Sequence, residues 1–271
     1  MLSVSLGPLT LSVAHLLILG SLLLAVVIGW WVGRSSGSNP ESQLFSILLV
    51  GLLVARLAFV LRYLPLFADD PWGVLDIRDG GFIVEPGALA ALAFGVWILW
   101  RKPKLRKPLG IGMSVGVLVW AMGSMMLSAF EQGTRMPEVA LRDASGAPVQ
   151  LQDYVGKPVV INLWATWCPP CRREMPVLAE AQTANPEITF LFVNQGEGAE
   201  EIQRFLAHSK LELNNVLLDS GGRLGQRVGS MSLPTTLFYS AQGRQLGSHL
   251  GELSKASLTQ ALEHFDKDVQ P

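Results

Sequence analysis

"VVINLWATWCPPCRREMPVL", Val159 to Leu178, decides the fold of the second half of this chain. Its apolar run through Ala165 has the length and branched content of a strand buried on both faces. From Cys168 the pattern turns helical, with Met175, Leu178 and Ala179 on one side and charges on the other. The change falls on Cys168 and Cys171, the only two cysteines in 271 residues, separated by Pro169 and Pro170. Residues i and i+3 in a first helical turn have Cα atoms roughly 5 to 6 Å apart, within reach of a disulfide that opens and closes with little backbone motion. A sulfur at a helix N-terminus meets free N–H groups and the positive dipole end, which favour the thiolate. Cys168 is therefore the expected nucleophile, and Cys171 the resolving thiol that releases a mixed disulfide. A permanent structural bridge is the alternative, but closing so short a loop removes little entropy from the unfolded chain. A zinc site would want about four ligands, and His208, His249 and His264 offer no second paired spacing. No metal or cofactor is expected.

Outward from this centre, "PEVALRDASGAPVQLQDY" reads as a hairpin before the buried strand, and "ITFLFVNQ" as a second buried strand. "NQGEGAEE" has glycines but no phosphate-loop pattern, and reads as a loop into the amphipathic helix "AEEIQRFLAHSK". "TTLFYS" and "RQLGSHLG" form a hairpin around Ala241 to Gly243, and "SKASLTQALEHF" closes the chain as a helix with Ser254 as N-cap. Strands alternating with helices predict a layered α/β domain containing a parallel βαβ unit.

The motif, with "GAPVQLQDYVGKP" before it and "GSMSLPTTLFYSAQGRQLGSHLGELSK" after it, resembles the thioredoxin-fold reductases of the TlpA, ResA and CcmG type over about residues 138 to 265. The resemblance implies a thioredoxin-like domain with a Cys-Pro-Pro-Cys redox-active disulfide. It implies a cis proline facing the cysteines at Pro234, with Leu233 and Thr235 beside it; Trp167, next to the nucleophile, reads as rim packing or as a residue that shapes the client groove. The resemblance also implies a proton acceptor for the deeper thiol at Glu174, whose plain alternative is a solvated helix-face carboxylate. Ordinary thioredoxins keep an aspartate six residues before the first cysteine. Asn162 stands there in this chain, which shifts proton handling toward Glu174.

The first half is different in kind. Residues 1 to 130 hold 9 Lys/Arg and 6 Asp/Glu against 12 and 16 in residues 131 to 271, placing a domain boundary near Glu131. Four apolar stretches are long enough to span a bilayer as helices, at about 9–32, 44–67, 81–100 and 109–130. The first lacks a cleavage signature and is expected to be retained. Gly112 and Gly116 in the fourth have the spacing of close helix packing. "RKPKLRKP" between spans three and four carries five basic residues in eight, which assigns that loop to the cytoplasm. The acidic loop with Asp69, Asp70, Asp76 and Asp79 then lies outside, as do both termini. That puts the cysteines in the periplasm, where disulfide chemistry operates. Arg56, within span two, is a functional candidate whose possible partner is Glu85, with snorkelling or burial between helices as the plainer reading. "LLVARLAFVLRYLPLF" and "DIRDGGFIVEPGALAALAFG" resemble part of the prolipoprotein diacylglyceryl transferase pattern. Arg56 matches that family's arginine, but Glu85, Pro86 and Gly87 stand where it has a His-Gly pair.

The expectation is an α-helical membrane domain (1–130) joined to an α/β thioredoxin-like domain (131–271), anchored in the bacterial inner membrane. Its expected activity is thiol-disulfide exchange, reducing exported clients such as apocytochromes or copper-site proteins. Pro169 and Pro170 lack N–H groups that could stabilise a Cys168 thiolate, which argues for electron donation. With no cysteine in the spans, reducing equivalents must come from a separate protein, which the resemblance implies is a DsbD-like transmembrane reductant, unless the pair is instead kept oxidised. A lipid-modifying transferase with an accessory redox domain is the second reading. The slightly acidic C-terminal half excludes a nucleic-acid footprint.

Overall fold

The computed structural model describes residues 3–6, 9–68, 70–230 and 232–269. Asp69 of the acidic loop lies outside them. The chain forms two compact units, Ala14–Ile77 with Gly81–Leu127, and Met1–Val13 with Arg78–Gly80 and Ser128–Pro271.

A short antiparallel pair, β1 (Ser3–Leu6) and β2 (Leu9–Ser12), precedes the first long helix. That helix, α1 (Val13–Gly33), therefore starts four residues later than the uncharged run suggests, because Leu9–Ser12 pairs as strand. The others are α2 (Glu41–Arg62), α3 (Val84–Arg101) and α4 (Arg106–Gly133). All four are long and apolar enough to cross a membrane. The second ends five residues before the expected limit, since Pro65 cannot continue an α-helix and Leu64–Phe67 tightens into a 3-10 turn. The third begins at Val84 rather than Gly81 and so includes Glu85 in its first turn.

Arg56 in α2 is buried, and four main-chain oxygens are among its partners. Nε donates to Val74 O at 3.2 Å, Nη1 to Gly81 O at 2.9 Å, and Nη2 to Gly73 O at 2.9 Å and Asp76 O at 2.6 Å. The plainer reading, burial between helices, matches this placement, and the possible partner Glu85 is not among these four acceptors. The buried guanidinium fans its donors over main-chain oxygens of the segment between α2 and α3, Gly73 O among them, which also accepts the Asp76 N–H.

The other unit is built on a seven-stranded sheet. Its strands are β3 (Ala140–Asp143), β4 (Pro148–Gln150), β5 (Val159–Trp164), β6 (Thr189–Gln195), β7 (Val216–Asp219), β8 (Thr235–Tyr239) and β9 (Gln245–Leu250), in spatial order β4-β3-β7-β6-β5-β8-β9. The β5–β6–β7 pairs are parallel, whereas β8 and β9 add antiparallel on one side and the β3–β4 hairpin on the other. The helices are α5 (Pro169–Ala184), α6 (Ala199–Ser209), α7 (Arg223–Val228) and α8 (Lys255–Val269). Ser254 caps α8 by accepting Ser257 N–H at 3.1 Å.

Alternation along β5 sorts the core into two layers. Val160 and Trp164 pack with Met175 and Leu178 of α5, Ile202 of α6 and Leu258 of α8. Val159, Ile161 and Leu163 face the other way, onto Leu141, Leu151 and Leu224. Asn162 shares the face of Val160 and Trp164, so a polar side chain points from the central strand toward α5.

Candidate active site

The site lies where β5 delivers the chain to α5. Trp164 and Ala165 are buried, Trp167 stands 67% exposed, and Cys168 returns to 3% as the N-cap of α5. Pro169 and Pro170 occupy the first two helical positions, where a missing N–H costs no helical bond. Cys168 and Cys171 are joined, with Cα atoms 5.3 Å apart. The Cys171 N–H donates to Cys168 Sγ at 3.3 Å, the one such donor among the described residues, as the two prolines require. Cys171 is wholly buried, so only the first sulfur lies at the surface edge.

One turn further, Glu174 is fully buried. Its Oε1 accepts Asn162 Nδ2 at 2.8 Å and its Oε2 accepts Leu253 N–H at 3.0 Å. Burial pushes the Glu174 carboxyl up to about 8, outweighing the two hydrogen bonds that favour its charge, and nearby Glu252 adds to the rise. A buried carboxyl poised there exchanges a proton with a thiol of ordinary pKa at little cost. Asn162 is held in turn by donating to Thr236 Oγ1 at 3.0 Å, its partner across the β5–β8 pair. Arg173 Nε donates to Glu252 Oε2 at 2.9 Å and ties α5 to the segment carrying Leu253.

Leu233 packs against the cluster containing both cysteines, and the Leu233–Pro234 peptide is cis. Pro234 immediately precedes Thr235, which pairs with Leu163, so it sits at the end of the sheet from which the cysteine loop departs. Thr235 Oγ1 donates to Ser232 O at 2.7 Å and meets Ser230 Oγ at 2.8 Å, which fastens the approach to the proline. Cys168, Cys171, Glu174 and Leu233 thus share one neighbourhood.

Three further contributors escaped sequence reasoning: Thr236 and the Leu253 N–H, which support the Glu174 pair, and Glu197. The last lies in a stretch that reads as a plain loop, yet it is buried against Thr166, two residues before the nucleophile position. An Asn three residues before a Glu was its only local signal. Among the described residues no group of His, Cys, Asp or Glu could hold a metal ion.

Residues 132–244 match the AhpC/TSA family, and residues 2–126 match the prolipoprotein diacylglyceryl transferase family. The chain is 32% identical over 136 residues to the thioredoxin-like protein YneN of Bacillus subtilis, covering 49% of this chain and 79% of that protein. It is 30% identical over 152 residues to the thiol-disulfide oxidoreductase ResA of Geobacillus thermodenitrificans, covering 55% and 87%. Among solved structures, the exposed lipoprotein thioredoxin of Streptococcus pneumoniae aligns with a TM-score of 0.40 and 28% identity, over 47% of this chain and 98% of that one.

Proposed function

The chain belongs to the thioredoxin-like thiol-disulfide oxidoreductases, and we propose that it is a membrane-anchored, periplasmic member that reduces disulfides in exported proteins through Cys168 and Cys171. The reduced Cys168 thiolate attacks a client disulfide, forming a mixed disulfide and expelling one client thiolate. Cys171 loses its proton to Glu174 in its ionised form, the minor form below about pH 8, and attacks Cys168 Sγ. The second client thiolate leaves as the Cys168–Cys171 bond forms; two electrons have passed to the client, whose two thiolates take up one proton from Glu174 and one from water. Trp167, Leu233, Pro234 and Thr235 frame the client groove in this reading. The four apolar helices of residues 1–130 anchor the domain of residues 131–271 in the inner membrane. A DsbD-like transmembrane protein returns the pair to its reduced form.

The observation that carries this reading is the placement of a helix-capping sulfur beside a buried partner sulfur, with a buried carboxyl one turn deeper. The test is Cys171→Ser, which removes the resolving thiol. The variant is expected to hold clients as mixed disulfides on Cys168, visible as reducible adducts on gels and identifiable by mass spectrometry. Absence of adducts both in cells and with a purified disulfide protein would sink the exchange mechanism. Direction is tested separately by titration against glutathione: a donor stays oxidised at an oxidising periplasmic poise, and a pair found mostly reduced there contradicts electron donation.

The diacylglyceryl transferase match favours a second reading, a lipid-modifying activity in the helical half. Against it stands the missing His-Gly pair, where this chain has Glu85, Pro86 and Gly87.

A further inference from the structure

We infer that Glu197 is a positioning residue of the exchange site, holding the Thr166–Cys168 segment so that Trp167 is presented to client proteins. The inference rests on the exchange function proposed above and adds a residue to its site.

Strands β5 and β6 run parallel, with Trp164 opposite Asn194; β5 ends there, and β6 runs one residue further, to Gln195. Three residues after Asn194, Glu197 folds back. Asn194 Nδ2 donates to its Oε2 at 2.6 Å, and the Glu197 N–H returns a bond to Asn194 Oδ1 at 3.2 Å. The same carboxylate grips one residue of the neighbouring loop twice. Thr166 N–H donates to Oε2 at 2.7 Å, and Thr166 Oγ1 donates to Oε1. Burying a carboxylate is costly unless several donors meet it. Here both oxygens are satisfied, by donors from Asn194 and from Thr166 alone. A carboxylate serving only overall stability has no reason to choose the residue two before the nucleophile.

The clamp answers a local difficulty. Between buried Ala165 and buried Cys168, an indole is held 67% in water. Loss of apolar exposure would favour folding that indole back onto the surface. Two bonds to Thr166 from a fixed strand end set the direction in which the chain emerges, and so keep Trp167 standing beside the sulfur. A small disulfide needs to reach only Cys168 Sγ, whereas a protein client must also lie against the indole. Removing the clamp should therefore damage recognition of proteins more than sulfur chemistry.

The test uses the full chain in detergent. Glu197→Gln keeps the shape but replaces the carboxylate with a neutral amide, so the charge-assisted grip on Thr166 is weakened. Thr166→Val removes the hydroxyl bond alone, and Thr166→Ser retains both bonds. Each variant is reduced beforehand and assayed for single-turnover exchange with the small aromatic disulfide 5,5′-dithiobis(2-nitrobenzoate), and assayed for reduction of insulin with dithiothreitol supplying the electrons. Glu197→Gln is expected to raise KM for insulin about fivefold to tenfold, with kcat and the small-disulfide rate held within about twofold. Thr166→Val should move the same way by less, and Thr166→Ser should match the wild type. An equal fall on both substrates would overturn the inference, as would wild-type insulin kinetics in variants whose bonds to Thr166 are lost or weakened. Should Glu197→Gln fail to fold, the Thr166→Val result decides. If the wild type exchanged with neither disulfide, the underlying function would fall and this inference with it.

Discussion

At the scale of single residues, Glu174 and Glu197 show how two buried carboxyls near one site divide their work. Glu197 is met by donors at both oxygens and organises a loop. Glu174 has one donor at each oxygen, and burial outweighs them, raising it to about 8. The folded state therefore holds a proton that the unfolded chain, at the ordinary 4.5, gives up. Its contribution to stability is fully present below that ordinary value and is lost as pH rises through about 8. Glu174→Gln keeps a neutral group at every pH. Its melting temperature should match the oxidised wild type near about pH 4 and exceed it near about pH 9, by the equivalent of a few kcal/mol. Parallel melting curves across that range would contradict the burial argument. The same variant should slow release of the mixed disulfide, seen as longer-lived adducts in stopped-flow exchange. Cys168 and Cys171 were legible because their types and spacing suffice for the chemistry. Asn162 was legible only as a departure from the thioredoxin pattern. Glu197 was not legible, because its use depends on β6 lying beside β5 in the register that sets Asn194 opposite Trp164.

At the scale of elements, the long apolar helices and the strand–helix alternation could be read from composition and period. Their ends could not, since Pro65 and the Leu9–Ser12 pairing decide them locally. Strand β7 and helix α7 went unread because four and six residues are too short for either period to stand out. Packing of α1 on α4 rests on small residues, as the Gly112 and Gly116 spacing suggested. A Cβ on Gly112 would come within 2.7 Å of the Ala25 carbonyl oxygen, while one on Gly110 would meet nothing within 4 Å. Gly112→Ala should thus lower the melting temperature of the detergent-solubilised protein by about 1–3 kcal/mol equivalent, despite alanine's better helix propensity. Gly110→Ala, on the same helix, should be neutral or mildly stabilising. Equal behaviour of the two would mean that the backbones do not approach so closely.

At the scale of the whole molecule, sheet order was beyond the sequence. Nothing local says that β8 inserts antiparallel beside β5, yet that pairing brings Thr236 to Asn162 and Pro234 to the cysteine end. The proposed orientation has a direct check in intact cells. After mild reduction, a membrane-impermeant maleimide should label Cys168 once the outer membrane alone is permeabilised. Labelling that required disruption of the inner membrane would place the pair on the cytoplasmic side. In a strain lacking its transmembrane reductant, the pair should accumulate in the oxidised form, scored by gel shift after alkylation.

The bridge joins positions only three apart in sequence. Cross-linking so few residues confines the denatured chain little, so oxidation shifts folding chiefly through the native state. Closing the thermodynamic cycle, the difference in unfolding free energy between the bonded and reduced proteins equals the difference in reduction potential between folded and denatured dithiol, with two electrons per pair. A calorimeter applied to this domain therefore doubles as a voltmeter: whichever form melts higher reveals whether the fold itself pulls electrons in or pushes them out.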